Sequence, residues 1–174
     1  MDHQAPPTGP SRQDLIARAY PDGRYRTVIG VHLVLQRDDT VLLGLCSGTG
    51  WRDGHYHVPA GHLEYGETVT ACAVREAAED LNVTIAEADL RLVHTVHHAT
   101  LEDDPRIQLF FHATSWRGEP VNAEPDRCAD LRWWPLNDLP QPMVDYTAVA
   151  LNRLHDGEAF SVVGWSGTQG RASV

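Results

Sequence analysis

The sequence predicts an α/β fold, and three observations carry that expectation. Runs of β-branched and apolar residues bounded by polar turns lie on both sides of one segment of helix composition. That segment, 68–82, is rich in Ala, Arg, Glu and Leu and holds neither Pro nor Gly. A second amphipathic run, 144–155, closes the order with apolar positions at Val144, Ala148, Leu151 and Leu154.

A chain of 174 residues with 42% hydrophobic and 22% charged residues suits one globular domain. The expected division is an N-terminal arm over 1–22, the domain over 23–157 and a C-terminal tail over 158–174. The arm is rich in Pro, Gln and Asp around one short amphipathic piece, 14–20. Two strands, 26–37 and 41–46, flank the polar turn 37–40 and read as a hairpin. A Gly-rich loop, 47–54, then runs through 55–60 into the helix segment's entrance at Gly61. Beyond the helix, strands are expected over 90–99 and 107–116, joined by an acidic turn at 102–105. An acidic stretch and a Trp-rich strand follow, in which Trp133 and Trp134 must face opposite ways, one of them toward the core. There are no internal repeats.

Composition also excludes function classes. A formal net charge of −10 without a basic stripe argues against a protein that tracks a phosphate backbone, so no nucleic acid polymer is expected as partner. Cys46, Cys72 and Cys128 stand singly, with neither CxxC spacing nor a Cys/His finger pattern, and read as reduced thiols. No basic-then-apolar leader is present and no apolar run approaches the roughly 18 residues that span a bilayer. A soluble, cytoplasmic protein without membrane association is the expectation.

Chemistry is expected in residues 61–83. At about 100° per residue, Glu76, Glu79 and Asp80 share one helix face while Val74, Ala77, Ala78 and Leu81 take the other. Three acids held together repel one another unless a cation joins them. A hard divalent ion with oxygen ligands, Mg²⁺ or alternatively Mn²⁺, removes that penalty, whereas an isolated acidic trio would merely solvate a helix face.

The same stretch resembles the signature of the Nudix hydrolases, Gly-x5-Glu-x7-Arg-Glu-U-x-Glu-Glu-x-Gly-U with U a bulky aliphatic residue. Gly61, Glu67, Arg75, Glu76, Glu79 and Val83 fall on it residue by residue. Three positions depart: Ala77 is smaller than usual, Asp80 replaces the last Glu, and Asn82 replaces the closing Gly. Asn takes the left-handed backbone at a helix end almost as readily as Gly, so that change is mild. Asp80 is one methylene shorter and reaches a metal less far. Outside the signature the resemblance extends over roughly 24–154, with Trp51, Pro59, Ala60 and Gly61 matching in kind at the entrance.

The resemblance implies an α/β/α sandwich, a mixed sheet packed between helices, and a Mg²⁺-dependent pyrophosphohydrolase. Its substrate would be a nucleoside diphosphate linked to another group, foremost a plain or modified nucleoside triphosphate split to monophosphate and pyrophosphate. Metal would be held by Glu76, Glu79 and Asp80, with the Gly61 carbonyl and a further carboxylate, Glu124, with Asp126 and Asp130 as rivals. Arg75 and Glu67 would orient the ligand helix and loop, and the general base stays open among Glu76, Glu79 and Glu124. A catalytically weak nucleotide sensor and a prenyl diphosphate hydrolase are the alternatives. An isopentenyl-diphosphate-type isomerase is disfavoured by the nearly complete signature. Homodimers are common among similar proteins.

Other residues invite a functional reading. Trp51 and Tyr65 would stack on a base or simply pack the loops, and Asp145 would read a base edge or cap the last helix. His55, His57, His62, His94, His97 and His98 lack a tetrahedral zinc set at known spacing, and strand alternation sends His97 and His98 to opposite faces.

Overall fold

The computed structural model describes residues 24, 26–99, 105–154 and 156–165. The arm, including its amphipathic piece, and the acids of the 102–105 turn lie outside the described residues, as does His155. The first hairpin forms from β1 (Ile29–Arg37) and β2 (Thr40–Cys46). Asp38 sits at φ 51° in its turn, a left-handed conformation that Asp tolerates.

The two strands stay paired only at that end, through Gln36 with Val41 and Arg37 with Thr40. They then splay, and the chain that follows the Gly-rich loop fills the gap. β3 (Tyr56–His57) adds to β2, β4 (Ala60–His62) adds to β1, and Leu33 N–H donates to the Pro59 carbonyl at 2.8 Å. Gly61 is thereby held by backbone pairing to Val31 in the middle of the sheet.

After helix α1 (Val69–Leu81), a 3₁₀ turn (Glu87–Asp89) leads to β5 (Leu90–His98) and β6 (Arg106–Ala113). β6 pairs parallel to β1 and antiparallel to β5. β7 (Cys128–Pro135) returns antiparallel to β2, helix α2 (Asp145–Arg153) crosses the sheet, and β8 (Phe160–Val163) pairs parallel to β5. The main path is β3-β2-β1-β6-β5-β8, with β4 on β1 and β7 on β2.

Strand alternation builds two cores. Val31, Leu33, Leu35, Leu42 and Phe111 face α1 and pack on its Cys72, Ala73, Ala77 and Leu81. Val34, Val41, Leu43 and Phe110 face the other way, onto Tyr146, Ala150 and Leu151 of α2. The fold is thus the α/β/α sandwich with a mixed sheet. Trp133 packs against the first core and Trp134 against the second, so both tryptophans are partly buried on opposite faces rather than one alone.

Several expectations need correction. Ala78 is exposed, and Glu76 shares the buried face of α1 in its place, because the helix leans its Glu76 side onto the strand that carries Gly61. The strand expected to reach Trp116 ends at Ala113, where the Thr114 amide turns to the Asp89 carbonyl. The last helix buries Tyr146, Thr147, Ala150 and Leu151, with Ala148 and Leu154 only partly covered. Residues assigned to the tail form β8, so the sheet continues past 157. His94 secures that strand through the Glu158 carbonyl at 2.7 Å and Ser161 Oγ at 3.0 Å.

Candidate active site

Helix α1 begins and ends as its sequence dictates. Thr68 is the N-cap, its hydroxyl accepting from Ala71 N–H at 3.1 Å. Asn82 closes the helix in the left-handed region at φ 55° and ψ 35°, the conformation that lets it stand in for Gly. Between these caps, Arg75 works as a clamp. It donates to Glu67 at 2.8 Å, to Glu76 at 2.5 Å, to Glu79 at 3.1 Å and to the His62 carbonyl at 3.2 Å.

Glu67 reaches back to accept from the Glu64 amide at 2.9 Å, which joins the loop before α1 to the helix itself. The Arg75 guanidinium, helped by that amide, holds the Glu67 carboxyl down to about 2. Arg75 and Glu67 together tie the loop before α1 to the carboxylates of Glu76 and Glu79.

Glu76 is 8% exposed and lies directly over Gly61, so closely that a Cβ on Gly61 would fall inside its carboxylate. A glycine is required there for space, not for an unusual φ. Burial raises the Glu76 carboxyl, Arg75 opposes that rise, and the Glu79 and Glu124 carboxylates add to it. Asp80, one turn on, is pushed up to about 7 by burial first and then by Glu76, Glu124 and Glu79, with the Ala60 backbone amide partly offsetting.

Glu124 arrives from the segment that caps the C-terminal end of α1. Val121 N–H donates to the Leu81 carbonyl and Ala123 N–H to that of Asp80, each at 3.0 Å. Asn122 locks this segment to the start of β7 by donating to the Cys128 carbonyl at 2.7 Å. Of the three candidates for a further carboxylate, Glu124 is thereby set beside Asp80. Asp126 is exposed, and Asp130 pairs with Arg132 at 2.5 Å.

The donor set fits a hard divalent cation. Its atoms are carboxylate oxygens, two of the acids are held partly in the protonated direction by burial and mutual repulsion, and Arg75 engages one oxygen each of Glu76 and Glu79. Among the described residues no three His, Cys, Asp or Glu side chains converge as a ready coordination set, so the carboxylates form a loose cluster.

The charge strain is testable without activity. Asp80 binds its proton more tightly in the folded than in the unfolded chain, so its own contribution to the stability of the metal-free protein falls as pH rises from about 4 toward 7. Asp80→Asn is expected to raise the thermal midpoint of the chelator-treated protein above pH 7, by up to about 4 kcal/mol of stability, and to leave it unchanged below about pH 4. Equal midpoints for the two proteins across that range would contradict this account of Asp80.

Beside Asp80 and Glu124 lies a cavity of about 220 Å³, lined among others by Trp51, His57, Pro59, Asp80, Glu124 and Leu131. Trp51 stands in that wall, 6.1 Å from the His57 ring. Tyr65 is fully exposed and is not among the lining residues, so no wall assembles around it for stacking. Asp145 is the first residue of α2, and its carboxylate accepts from the Tyr146 N–H in the first turn at 2.8 Å. Val144 holds the N-cap position without a side-chain bond, and the Asp145 carboxylate lies 3.5 Å from His98 Nε2.

A buried polar group under α2 was not anticipated. His57 Nδ1 meets Thr147 Oγ1 at 2.6 Å, His32 Nε2 meets Gln108 Oε1 at 2.8 Å, and the two imidazoles are 5.1 Å apart. Burial pulls His32 down to about 4 and His57 well below its ordinary value, so both are neutral at neutral pH. A histidine inside the apolar run of β1 was the available signal for His32. Thr147 and Gln108 carried none, because their partners are far away in sequence.

Residues 24–154 match the family model described as NUDIX domain. The chain belongs to the Nudix family. It is 30% identical over 123 residues to the NAD-capped RNA hydrolase NudC of Pseudomonas entomophila (strain L48), a match that covers 71% of this chain and 40% of that one. It is 32% identical over 108 residues to the protein of the same name from Pseudomonas aeruginosa (strain LESB58), covering 62% of this chain and 36% of that one. The chain thus spans about two fifths of the length of these relatives. Among solved structures it resembles the MutT NUDIX hydrolase from Burkholderia pseudomallei, with TM-score 0.68 and 28% identity, over 74% of this chain and 98% of that chain.

Proposed function

We propose that this chain is a divalent-metal-dependent pyrophosphohydrolase acting on a nucleoside diphosphate linked to another group, with a plain or modified nucleoside triphosphate, split to monophosphate and pyrophosphate, as the leading substrate. The carrying observation is that Asp80 and Glu124 line one cavity while Glu76 and Glu79 stand near enough that burial and repulsion among the four acids raise Glu76 and Asp80. When bound there, Mg²⁺ or Mn²⁺ would neutralise charge on the diphosphate oxygens and acidify the attacking water. Glu76, Glu79 and Glu124, with Asp80, are the residues that would hold it, and the Gly61 carbonyl is a further donor.

The chain's own groups do the rest. Arg75, fixed by Glu67, keeps the Glu76 and Glu79 carboxylates in one orientation, so that little reorganisation is needed as charge develops. One of Glu76, Glu79 or Glu124 takes the proton of the water as it attacks phosphorus. Trp51 offers a flat apolar face in the cavity for the group attached to the diphosphate. The relatives named for NAD-capped RNA make a dinucleotide diphosphate a natural member of the test set, while the charge of −10 speaks for a small molecule over a polymer.

The test is release of pyrophosphate or phosphate from nucleoside triphosphates, nucleotide sugars, dinucleotides and prenyl diphosphates, with Mg²⁺, with Mn²⁺ and with chelator. Metal-dependent turnover of a nucleotide class is the expected result. Binding of a nucleotide with no turnover of any compound would replace the hydrolase with the sensor reading, and turnover confined to prenyl diphosphates would replace the substrate.

A further inference from the structure

Two cysteines meet on the wall of the cavity. Cys46 ends β2 and Cys128 begins β7, and the two are direct partners in the antiparallel ladder, just past an irregularity in register at Leu45. Ser47 N–H donates to the Arg127 carbonyl at 2.9 Å, one residue outside the pair on each strand. In a regular ladder the pair next to such a bond is non-hydrogen-bonded, the kind whose side chains stand closest, with Cα atoms about 4.5 Å apart. Disulfides bridge Cα separations of about 4.4–6.8 Å.

The thiols also point the same way. Both line the cavity. Gly44 shares the face of β2 that carries Cys46, and a Cβ on Gly44 would lie 2.9 Å from Cys128 Sγ, so the Cys128 sulfur leans across onto that same face of β2, over Gly44. Burial raises the Cys46 thiol to about 11, and the nearness of Cys128 contributes to that rise. Cys72, the remaining cysteine, is on the buried face of α1 in the other core and has no cysteine partner among the described residues.

We propose that Cys46 and Cys128 are a cross-strand thiol pair that closes reversibly to a disulfide, a modification site in the cavity wall whose co-reactant is a small-molecule disulfide. The thiolate of one cysteine attacks the co-reactant, forming a mixed disulfide and releasing one small thiol. The second cysteine, as its thiolate, then attacks the protein-bound sulfur, forming the Cys46–Cys128 bond and releasing the second small thiol. The protein loses two electrons and two protons, and the co-reactant gains them. Closure draws the sulfurs to about 2 Å and ends the Cys128 S–H donation to the Asp130 carbonyl, which reshapes the wall between Gly44 and Leu131. The effect on hydrolysis rests on the proposed function, but the bond itself does not.

The experiment incubates the full chain, native and at mildly alkaline pH, with oxidised glutathione, and reads intact mass, free thiols and cysteine-linked peptides. A mass lower by two hydrogens, with one peptide joining Cys46 to Cys128, is the expected result, reversed by dithiothreitol. Cys72→Ala is expected to keep the bond, and Cys46→Ala and Cys128→Ala each to abolish it. Glutathione carried on either thiol without an internal bond, or three free thiols persisting until the protein is denatured, would overturn the proposal. Turnover of the best substrate before and after closure is measured separately. A protein that forms the bond but hydrolyses nothing in either state leaves the thiol pair standing and removes the hydrolase reading.

Discussion

Glu79→Gln is expected to fold like the parent protein and to lose turnover by about 100-fold or more, the scale at which removing several kcal/mol of charge stabilisation acts. Glu79 suits this test because it is exposed, so its substitution leaves neither core disturbed. Its cost to the fold is one bond to Arg75, at 3.1 Å and 56% exposed on the glutamate side, where ion pairs contribute little. Gln keeps the size and the remaining carbonyl oxygen while removing the charge. Steady-state kinetics at saturating Mg²⁺, alongside a thermal melt, separate the two effects. Near-parental kcat with an unchanged melt would show that Glu79 does not hold the cation.

Gly61→Ala is expected to damage both stability and activity. The added methyl group would occupy the Glu76 carboxylate's place, and neither neighbour can yield easily. Gly61 is fixed by its pairing with Val31, and Glu76 is fixed by Arg75. Overpacking of this kind costs about 1–3 kcal/mol, and here it also turns Glu76 out of line. The thermal midpoint should fall and kcat should fall by about 100-fold. A variant with parental melting and parental kcat would mean that Glu76 has another seat and that the close approach has no functional consequence. Comparing it with Glu76→Gln separates displaced carboxylate from lost charge, since Gln fits the same space.

Much of this molecule was legible in one dimension because the signals were local. The caps of α1 are a Thr and an Asn acting on backbone within a few residues, and the first hairpin is two apolar runs about a polar turn. The pairing of Arg75 with Glu79 follows from i,i+4 helix spacing, and its pairing with Glu67 is what the family resemblance implied. What escaped was long-range. Ala78 read as core and Glu76 as surface because a helical wheel shows faces but not which way the helix leans on the sheet. The strand at Phe160–Val163 read as tail because its partner, β5, lies some sixty residues earlier and no periodicity announces a parallel pairing.

The family signature, the first hairpin and the two helices were thus legible, since each is written in residues that act on near neighbours. Long-range packing alone set Glu124 beside Asp80, left Tyr65 exposed and made Cys46 the ladder partner of Cys128 in the cavity wall. Those outcomes depend on strand register and on the backbone bonds that fasten distant loops to a helix end, quantities that hydrophobic pattern and local propensity do not encode.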